Sequence, residues 1–132
     1  MRLLLDTHVL LWWLSGTPQL SPAAGHAVAE AASADRVIAS TISVLEIATA
    51  ARRGRLQLSM PVAQWLADVR QLPELRFAPV TAEIAELAGS FADEIHGDPA
   101  DRLIAATAIA LACPLVTADE KLRASRLVPT VW

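Results

Sequence analysis

Residues 3–14 read LLLDTHVLLWWL, and they decide how the fold begins. Leu3–Leu5 is a short, continuous apolar run, which is typical of a strand buried on both faces of a sheet. Asp6 closes this run, and residues 7–14 form an apolar helical segment that stops at the sequence SGTP of residues 15–18. The segment therefore predicts a buried strand, an acidic residue at its end, and a helix directly afterwards.

The rest of the chain repeats this alternation of apolar strands and helices. We predict further strands at residues 36–40, 75–80, 115–117 and 127–131. We predict further helices at residues 21–33, 41–53, 61–71, 81–94, 98–112 and 119–125. Such alternation favours a parallel sheet with helices on both faces. The prediction is a three-layer α/β/α fold with a central, mostly parallel sheet of four to five strands, as one domain over residues 1–132.

The composition is that of a folded protein outside the membrane. The chain is 54% hydrophobic and 19% charged, which argues against disorder. Its one cysteine, Cys113, cannot form an internal disulfide, and Asp6 and His8 interrupt the only segment resembling a secretory signal. Residues 103–118 are too short for a membrane span and contain Pro114. We therefore expect a cytoplasmic location and no membrane association.

Four carboxylates are expected at the ends of predicted elements, where side chains can converge on a cleft. Asp6 and Asp119 follow predicted strands, while Glu46 and Asp101 lie near the starts of predicted helices. In a parallel α/β sheet, ligands bind beyond the carboxyl ends of the strands. Clustered anions repel one another unless a cation lies between them, and Mg²⁺ and Mn²⁺ prefer carboxylate oxygens. The four residues therefore predict a divalent metal site.

Helix capping is the alternative role for each of these acids. Residues 43–46 read SVLE, the S-x-x-E form of a capping box, so Glu46 could do no more than satisfy a helix end. Residues 98–101 read DPAD, in which Asp98 is the expected cap and Asp101 the third helical residue. Asp6 and Asp119 could likewise cap the helices that follow them. Capping alone explains four converging carboxylates less well than a metal site does.

The charge distribution permits an anionic partner although the chain is acidic overall. The net charge is −3, and without the four candidate acids it would be +1. Two basic clusters are present, at residues 52–55 and 121–126. Such clusters are usually solvated helix ends, but beside a metal-filled cleft they could also steer a phosphate backbone.

Four stretches, taken in order along the whole chain, resemble the PIN domain and, more narrowly, the VapC-type toxins of bacterial toxin–antitoxin pairs. The stretches are LLDTHVLLW at residues 4–12, SVLEIA at 43–48, DPADRLIAATA at 98–108 and LVTAD at 115–119. The resemblance implies a PIN-like α/β/α fold and a Mg²⁺- or Mn²⁺-dependent endoribonuclease, in which metal-activated water hydrolyses RNA.

The same resemblance assigns roles to individual residues. It places Asp6, Glu46, Asp101 and Asp119 in the family's acidic quartet. Asp6, Asp101 and Asp119 are expected to hold the metal, and Glu46 to bind it directly or to orient a water. Thr7, Ser43 and Thr117 are expected to support these acids. His8 and His96 are expected to lie near the cleft or on the surface and not to be ligands.

The resemblance also implies partners besides RNA. VapC-type toxins are inhibited by a small VapB-like antitoxin, a segment of which lies in an apolar groove and reaches the acids, and they are expected to form homodimers. Residues 11–14 are four consecutive apolar residues on one helix, which cannot bury all of them inward. We therefore predict that Trp12 or Trp13 contacts the antitoxin or a second toxin chain.

Two other functions remain open at this point. A catalytically silent PIN-like module would bind a protein partner and use its acids only as helix caps. An aspartate-nucleophile phosphotransferase would use Asp6 after the first strand, as in haloacid-dehalogenase-like folds. Those folds resemble D-x-D, whereas His8 occupies the third position here, and no suitable lysine precedes Asp119.

Overall fold

The computed structural model describes residues 1–93, 95 and 97–132. The described residues contain five strands: β1 (Leu3–Leu5), β2 (Val37–Ser40), β3 (Leu75–Ala78), β4 (Leu115–Val116) and β5 (Thr130–Val131). They also contain seven helices: α1 (Thr7–Ser15), α2 (Pro22–Ser33), α3 (Thr41–Arg52), α4 (Val62–Val69), α5 (Ala82–Ser90), α6 (Pro99–Leu111) and α7 (Glu120–Ala124).

The five strands form one sheet in the order β3-β2-β1-β4-β5, and every observed pairing is parallel. The predicted α/β class and strand number are confirmed, and the sheet is parallel throughout rather than mostly so. The chain moves outward from β1 to β2 and β3, then returns to place β4 on the other side of β1. The carboxyl ends of β1 and β4 therefore flank a topological switch point, the usual ligand-binding crevice of such sheets.

The two faces of the sheet carry separate hydrophobic cores. Alternate residues of a strand point to opposite faces, so Leu3 and Leu5 pack with α1, α2 and α4, while Leu4 packs with α6 and α7. Leu4 and Leu5 are fully buried. Because helices cover both faces, the structure has the three layers that the continuous apolar strands predict.

The structure corrects the prediction that a helix spans residues 81–94. Helix α5 ends at Ser90, and Phe91 is extended with φ −63° and ψ 138°; Glu94 lies outside the described residues. The Arg102 guanidinium, on the first turns of α6, donates to the carbonyl oxygens of Ala88 at 3.0 Å, Ile95 at 2.8 Å and Phe91. The contacts to Ala88 and Phe91 satisfy carbonyls at the end of α5 that lack intrahelical partners, and the contact to Ile95 joins α6 to the segment after α5.

Two predictions about burial and membranes can also be checked in the described residues. The thiol of Cys113 is buried in the core shared with α6, and burial raises its pKa. This agrees with its interpretation as a small buried hydrophobe. None of the helices in the described residues combines the length and apolarity needed to cross a bilayer.

Candidate active site

Asp6 lies at the switch point and is held from two sides. Its backbone N–H donates to the carbonyl oxygen of Val116 at 3.1 Å, which joins the ends of β1 and β4. One side-chain oxygen, Oδ1, accepts from the Val9 N–H at 2.9 Å and caps α1. The other, Oδ2, accepts from the Thr117 hydroxyl at 2.5 Å. Asp6 is therefore both a cap and a cleft residue, and the two roles proposed for it do not exclude each other.

The environment of the Asp6 carboxylate disfavours its negative charge. The residue is only 8% exposed, and this burial is the main reason that the pKa of its carboxyl is raised. The negative charge of Asp119 raises it further, whereas the hydrogen bonds from Thr117 and Val9 and the nearby His8 lower it. A bound cation would offset the unfavourable effects of both burial and Asp119 on the ionised carboxylate. Asp6 is therefore suited to a metal site.

Thr117 links Asp119 to Asp6. The Asp119 N–H donates to the Thr117 hydroxyl oxygen at 3.1 Å, and that hydroxyl donates to Asp6. Asp119 also caps α7, because its Oδ1 accepts from the N–H groups of Lys121 at 2.9 Å and Leu122 at 3.1 Å. The ends of β1 and β4 thus bring together two of the predicted acids and one predicted supporting threonine.

Glu46 is held by the residue that follows Asp6. The Thr7 hydroxyl donates to Glu46 Oε1 at 2.5 Å, and its oxygen lies 2.8 Å from the hydroxyl oxygen of Ser43. Thr7 belongs to α1, whereas Ser43 and Glu46 lie one turn apart on α3. The structure therefore joins the predicted supporting residues Thr7 and Ser43 to the acid Glu46 in one group.

The structure excludes a capping box at residues 43–46. Helix α3 begins at Thr41, and its N-cap is Ser40, whose side chain accepts from the Ile42 N–H at 3.1 Å. Ser43 is the third residue of the helix and not its N-cap, and Glu46 lies three residues further along, so the two do not form a capping box. Glu46 consequently projects from the body of the helix, where its side chain meets α1.

Asp101 lies where the sequence predicts it, in the first turn of α6. Asp98 caps this helix and accepts from the Ala100 N–H at 2.9 Å, as expected. Asp101 is half-buried and has contacts of its own, and α6 packs against α3, the helix that carries Glu46. The placement puts Asp101 on an element next to the site.

The acids do not form a ready metal cluster. Among residues 1–93, 95 and 97–132, no three aspartate, glutamate, histidine or cysteine side chains are grouped as a metal ion would need. The quartet is instead arranged as an Asp6–Asp119 pair, Glu46 on the neighbouring helix, and Asp101 at the start of α6. The oxygen-only donors and the unfavourable charge on Asp6 still match a hard cation.

A groove of about 760 Å³ runs from Thr7 and Glu46 along α1 and α3. Its walls are mostly apolar, and two arginines, Arg53 and Arg55, lie among them. The apolar lining residues include Leu11, Trp12, Leu14, Leu45, Leu56, Leu58 and Trp65. We call this feature the α1–α3 groove, and Thr7 and Glu46 of the candidate site are among its lining residues.

The two tryptophans of α1 differ in their positions. Both are half-buried against the core, but Trp12 lines the α1–α3 groove, and Trp13 is not among the lining residues. The Trp12 ring lies 5.9 Å from the ring of His8 and 5.9 Å from that of Trp132. His8 is exposed and lines the groove, while His96 lies outside the described residues.

Sequence reasoning missed most of the groove. Leu45 is 60% exposed and lines the groove next to Glu46, and Trp65 reaches it from α4. The sequence did carry one signal for Leu45. It is an apolar residue directly before a predicted site acid, on a helix whose other apolar residues point inward. Arg53 and Arg55 were predicted as part of a basic cluster that could steer a phosphate backbone beside the cleft, but nothing in their spacing places them in the groove.

Comparison with known proteins agrees with this architecture. The sequence profile of the PIN domain family matches residues 3–126. The chain is 41% identical to Ribonuclease VapC22 of Mycobacterium tuberculosis over 131 residues, which is 98% of this chain and 97% of that protein.

Two solved structures share the fold across almost the whole chain. One is VapBC2 from Rickettsia felis bound to a promoter DNA fragment, with a TM-score of 0.73 and 18% identity over 98% of this chain and 97% of that one. The other is FitAcB from Neisseria gonorrhoeae, with a TM-score of 0.67 and 25% identity over 98% and 96%. Family profile, identity and fold agree, so the chain belongs to the PIN domain family and, within it, to the VapC type.

Proposed function

We propose that this chain is a divalent-metal-dependent endoribonuclease and the toxin of a toxin–antitoxin pair, with residues 1–132 forming one nuclease domain. The observation that carries the proposal is the Asp6 carboxylate, buried at the switch point, bonded to Thr117 and repelled by Asp119. A buried anion in a crevice of an α/β sheet is a typical place for a cation and an anionic substrate. The 41% identity to a protein named as a ribonuclease supports RNA as the substrate.

Asp6, Asp101 and Asp119 would hold a Mg²⁺ or Mn²⁺ ion, with Glu46 bound directly or through a water. When bound, such an ion neutralises the charge of the phosphodiester and makes a water more acidic. The chain's own part is to fix the carboxylates, and Thr117 and Thr7 do so for Asp6 and Glu46. In-line attack by water would leave a 5′-phosphate and a 3′-hydroxyl, and no side-chain nucleophile is needed.

The α1–α3 groove is the proposed site for a VapB-like antitoxin. Its mostly apolar lining suits an apolar segment of a partner, and Glu46 is among its lining residues, so an occupant would also cover that acid. The R. felis neighbour is named as a VapBC2 assembly, which supports a partner of this kind. Of the two tryptophans of α1, Trp12 is the proposed contact with the antitoxin, because it lines the groove.

Two further parts of the proposal concern the state of the toxin. We expect it to act in the cytoplasm, because RNA is present there and a chain with a single cysteine suits a reducing compartment. We also expect a homodimer, which light scattering on the purified chain measures directly. A monomer at micromolar concentration would remove this part of the proposal and leave the nuclease unaffected.

The test of the proposed function is to express the chain in its host and to map the RNA ends that result. We expect growth arrest and new ends carrying 5′-phosphates, both relieved by the co-expressed antitoxin. Asp101→Asn serves as the matched control, because it removes one charge from the proposed site while keeping the size of the side chain. If wild-type expression is harmless and RNA stays intact, the toxin function is wrong.

A catalytically silent binding module is the second candidate, and two observations favour it. Asp6 and Asp119 do cap helices, and the described residues contain no ready cluster of three metal ligands. Calorimetric titration of the purified chain with Mn²⁺ separates the two functions. A nuclease should bind the ion specifically and lose that binding in Asp6→Asn, whereas a silent module should show no specific binding.

A further inference from the structure

Thr7 and Thr117 stand in two hydrogen-bond chains of the same polarity. In the first, the Asp119 N–H donates to the Thr117 hydroxyl, which donates to Asp6. In the second, the Thr7 hydroxyl donates to Glu46 and lies 2.8 Å from the hydroxyl oxygen of Ser43. Each threonine therefore presents its one proton to a carboxylate and has its oxygen lone pairs left for another donor.

Proton counting fixes the direction of the second chain. A hydroxyl has one proton and two acceptor lone pairs, and the proton of Thr7 is given to Glu46 Oε1. The bond between Thr7 and Ser43 can then form only if Ser43 is the donor. In this hydrogen-bond chain, Ser43 donates to Thr7 and Thr7 donates to Glu46. The chain ends at the Glu46 carboxylate, which has no proton to donate when it is ionised.

Ser43 has no separate structural task that explains this contact. It is not the N-cap of α3, which is Ser40. A serine inside a helix usually donates to a carbonyl of the preceding turn, as Thr107 does to Leu103 at 2.7 Å. Ser43 is fully buried, and its hydroxyl is hydrogen-bonded to Thr7 of α1 instead.

We propose that Ser43 is a positioning residue that acts through Thr7 to fix the Glu46 carboxylate. The inference deepens the proposed nuclease function and rests on it. Donation by Ser43 polarises the Thr7 hydroxyl and strengthens its bond to Glu46, because hydrogen bonds in a buried chain reinforce one another. In the Asp6 chain the first donor is a backbone N–H, whereas here it is a side chain that mutation can remove.

The test is a double-mutant cycle on RNA cleavage with Ser43→Ala, Thr7→Val and the variant carrying both changes. We expect Ser43→Ala to lower kcat about tenfold with KM within about twofold of wild type, on the scale of losing a group that supports a metal-site ligand. Thr7→Val should lower kcat further. Adding Ser43→Ala to Thr7→Val should change little, because Ser43 acts only through Thr7.

Two other variants serve as controls. Thr7→Ser keeps the hydroxyl and should retain kcat near wild type, which a role of the Thr7 methyl group in packing would not explain. Thr107→Val removes an equally buried hydroxyl outside both chains and should also leave kcat near wild type. The inference is overturned if Ser43→Ala cleaves like wild type, if the two losses multiply, or if Thr107→Val loses as much as Ser43→Ala.

A stability measurement separates this inference from the proposed function. If the wild-type chain cleaves no RNA, the proposed function is wrong, and denaturation midpoints then decide about the chain of hydrogen bonds. Ser43→Ala should lower the midpoint in the wild-type background and leave it unchanged in the Thr7→Val background. Equal losses in both backgrounds would overturn the inference without reference to any activity.

Discussion

Helix α1 begins in one kind of environment and ends in another. At its start, Asp6 and Thr7 are buried, and each side chain is fixed by hydrogen bonds to another element. In its second half, Leu11, Trp12 and Leu14 are only half-buried and line an apolar groove. One helix therefore supports a rigid polar site at one end and an open apolar surface at the other.

The difference indicates how the two regions should respond to mutation. Buried polar groups are costly unless every partner is present, so the carboxylate end should be sensitive to the loss of a single atom. An apolar surface works by area, so the groove should lose affinity in proportion to the side chain removed. The predictions below test this contrast, from the largest expected effect to the smallest.

The largest effect is expected for Asp6→Asn. The amide oxygen can still accept from the Val9 N–H, and the amide NH2 can donate to the Thr117 hydroxyl oxygen, so the fold should persist, but the charge needed for the cation is lost. We expect RNA cleavage to fall by more than about 100-fold, beyond the range for groups that merely support a ligand. Single-turnover cleavage with Mg²⁺ measures it. Cleavage at the wild-type rate by a folded Asp6→Asn protein would remove Asp6 from the site.

The next effect concerns binding of the antitoxin by the two tryptophans. Trp12→Ala should weaken the complex by about 2 kcal/mol, roughly 30-fold, because aromatic anchors in grooves contribute on this scale. Trp13→Ala is the matched control, since Trp13 is also half-buried but is not among the groove-lining residues. Calorimetry gives the affinities, and thermal denaturation shows whether each variant is folded. Equal losses for both folded variants would contradict a specific role for Trp12.

A smaller effect is expected for Leu45, which is 60% exposed and lines the groove. Leu45→Ala should weaken antitoxin binding by about 1 kcal/mol, because only part of one leucine would be covered in the complex. Leu127→Ala is the control, as Leu127 is 43% exposed and is not among the groove-lining residues. If both leucine variants bind like wild type, the antitoxin lies outside this groove.

The fold could be predicted largely from the sequence, because its signals are local. Continuous apolar strands such as Leu3–Leu5, caps such as Ser21 and Asp98, and the stop at Gly16 each act within a few residues. The predicted end of α5 was wrong because the observed end depends on Arg102. This residue follows the helix in sequence, and its guanidinium donates to carbonyls at the end of α5. Such contacts leave no periodic pattern.

The site was less predictable than the fold. Asp6, Asp101 and Asp119 could be named because they stand at or next to element ends, whereas Glu46 lies in the body of α3. The structure joins Asp6 to Thr117 and Glu46 to Thr7. The capping box at residues 43–46 was a reasonable alternative because S-x-x-E has the same letters wherever the helix starts. Only the position of Ser40 as the N-cap decides against it. The groove required the packing of α1 against α3, which no single segment encodes.

The smallest effect is a change of stability with pH in the metal-free protein, and it tests the rigid end of α1. The pKa of the Asp6 carboxyl is raised, mainly by burial, so the folded state binds its proton more tightly than the unfolded state does. The contribution of this group to stability is therefore fully present below the ordinary aspartate range near about pH 4 and is lost as the pH rises through its folded pKa.

Asp6→Asn cannot ionise, so its unfolding free energy should gain on that of wild type as the pH rises from about 4 to 7. Urea denaturation at several pH values measures the difference, and Asp68→Asn, which removes an exposed carboxylate from α4, is the control. Mg²⁺ should then raise the stability of wild type at neutral pH and leave Asp6→Asn unchanged, because a cation stabilises the ionised carboxylate. A difference that stays flat with pH would mean that Asp6 is as well solvated as Asp68, and the contrast between the two ends of α1 would lose its electrostatic basis.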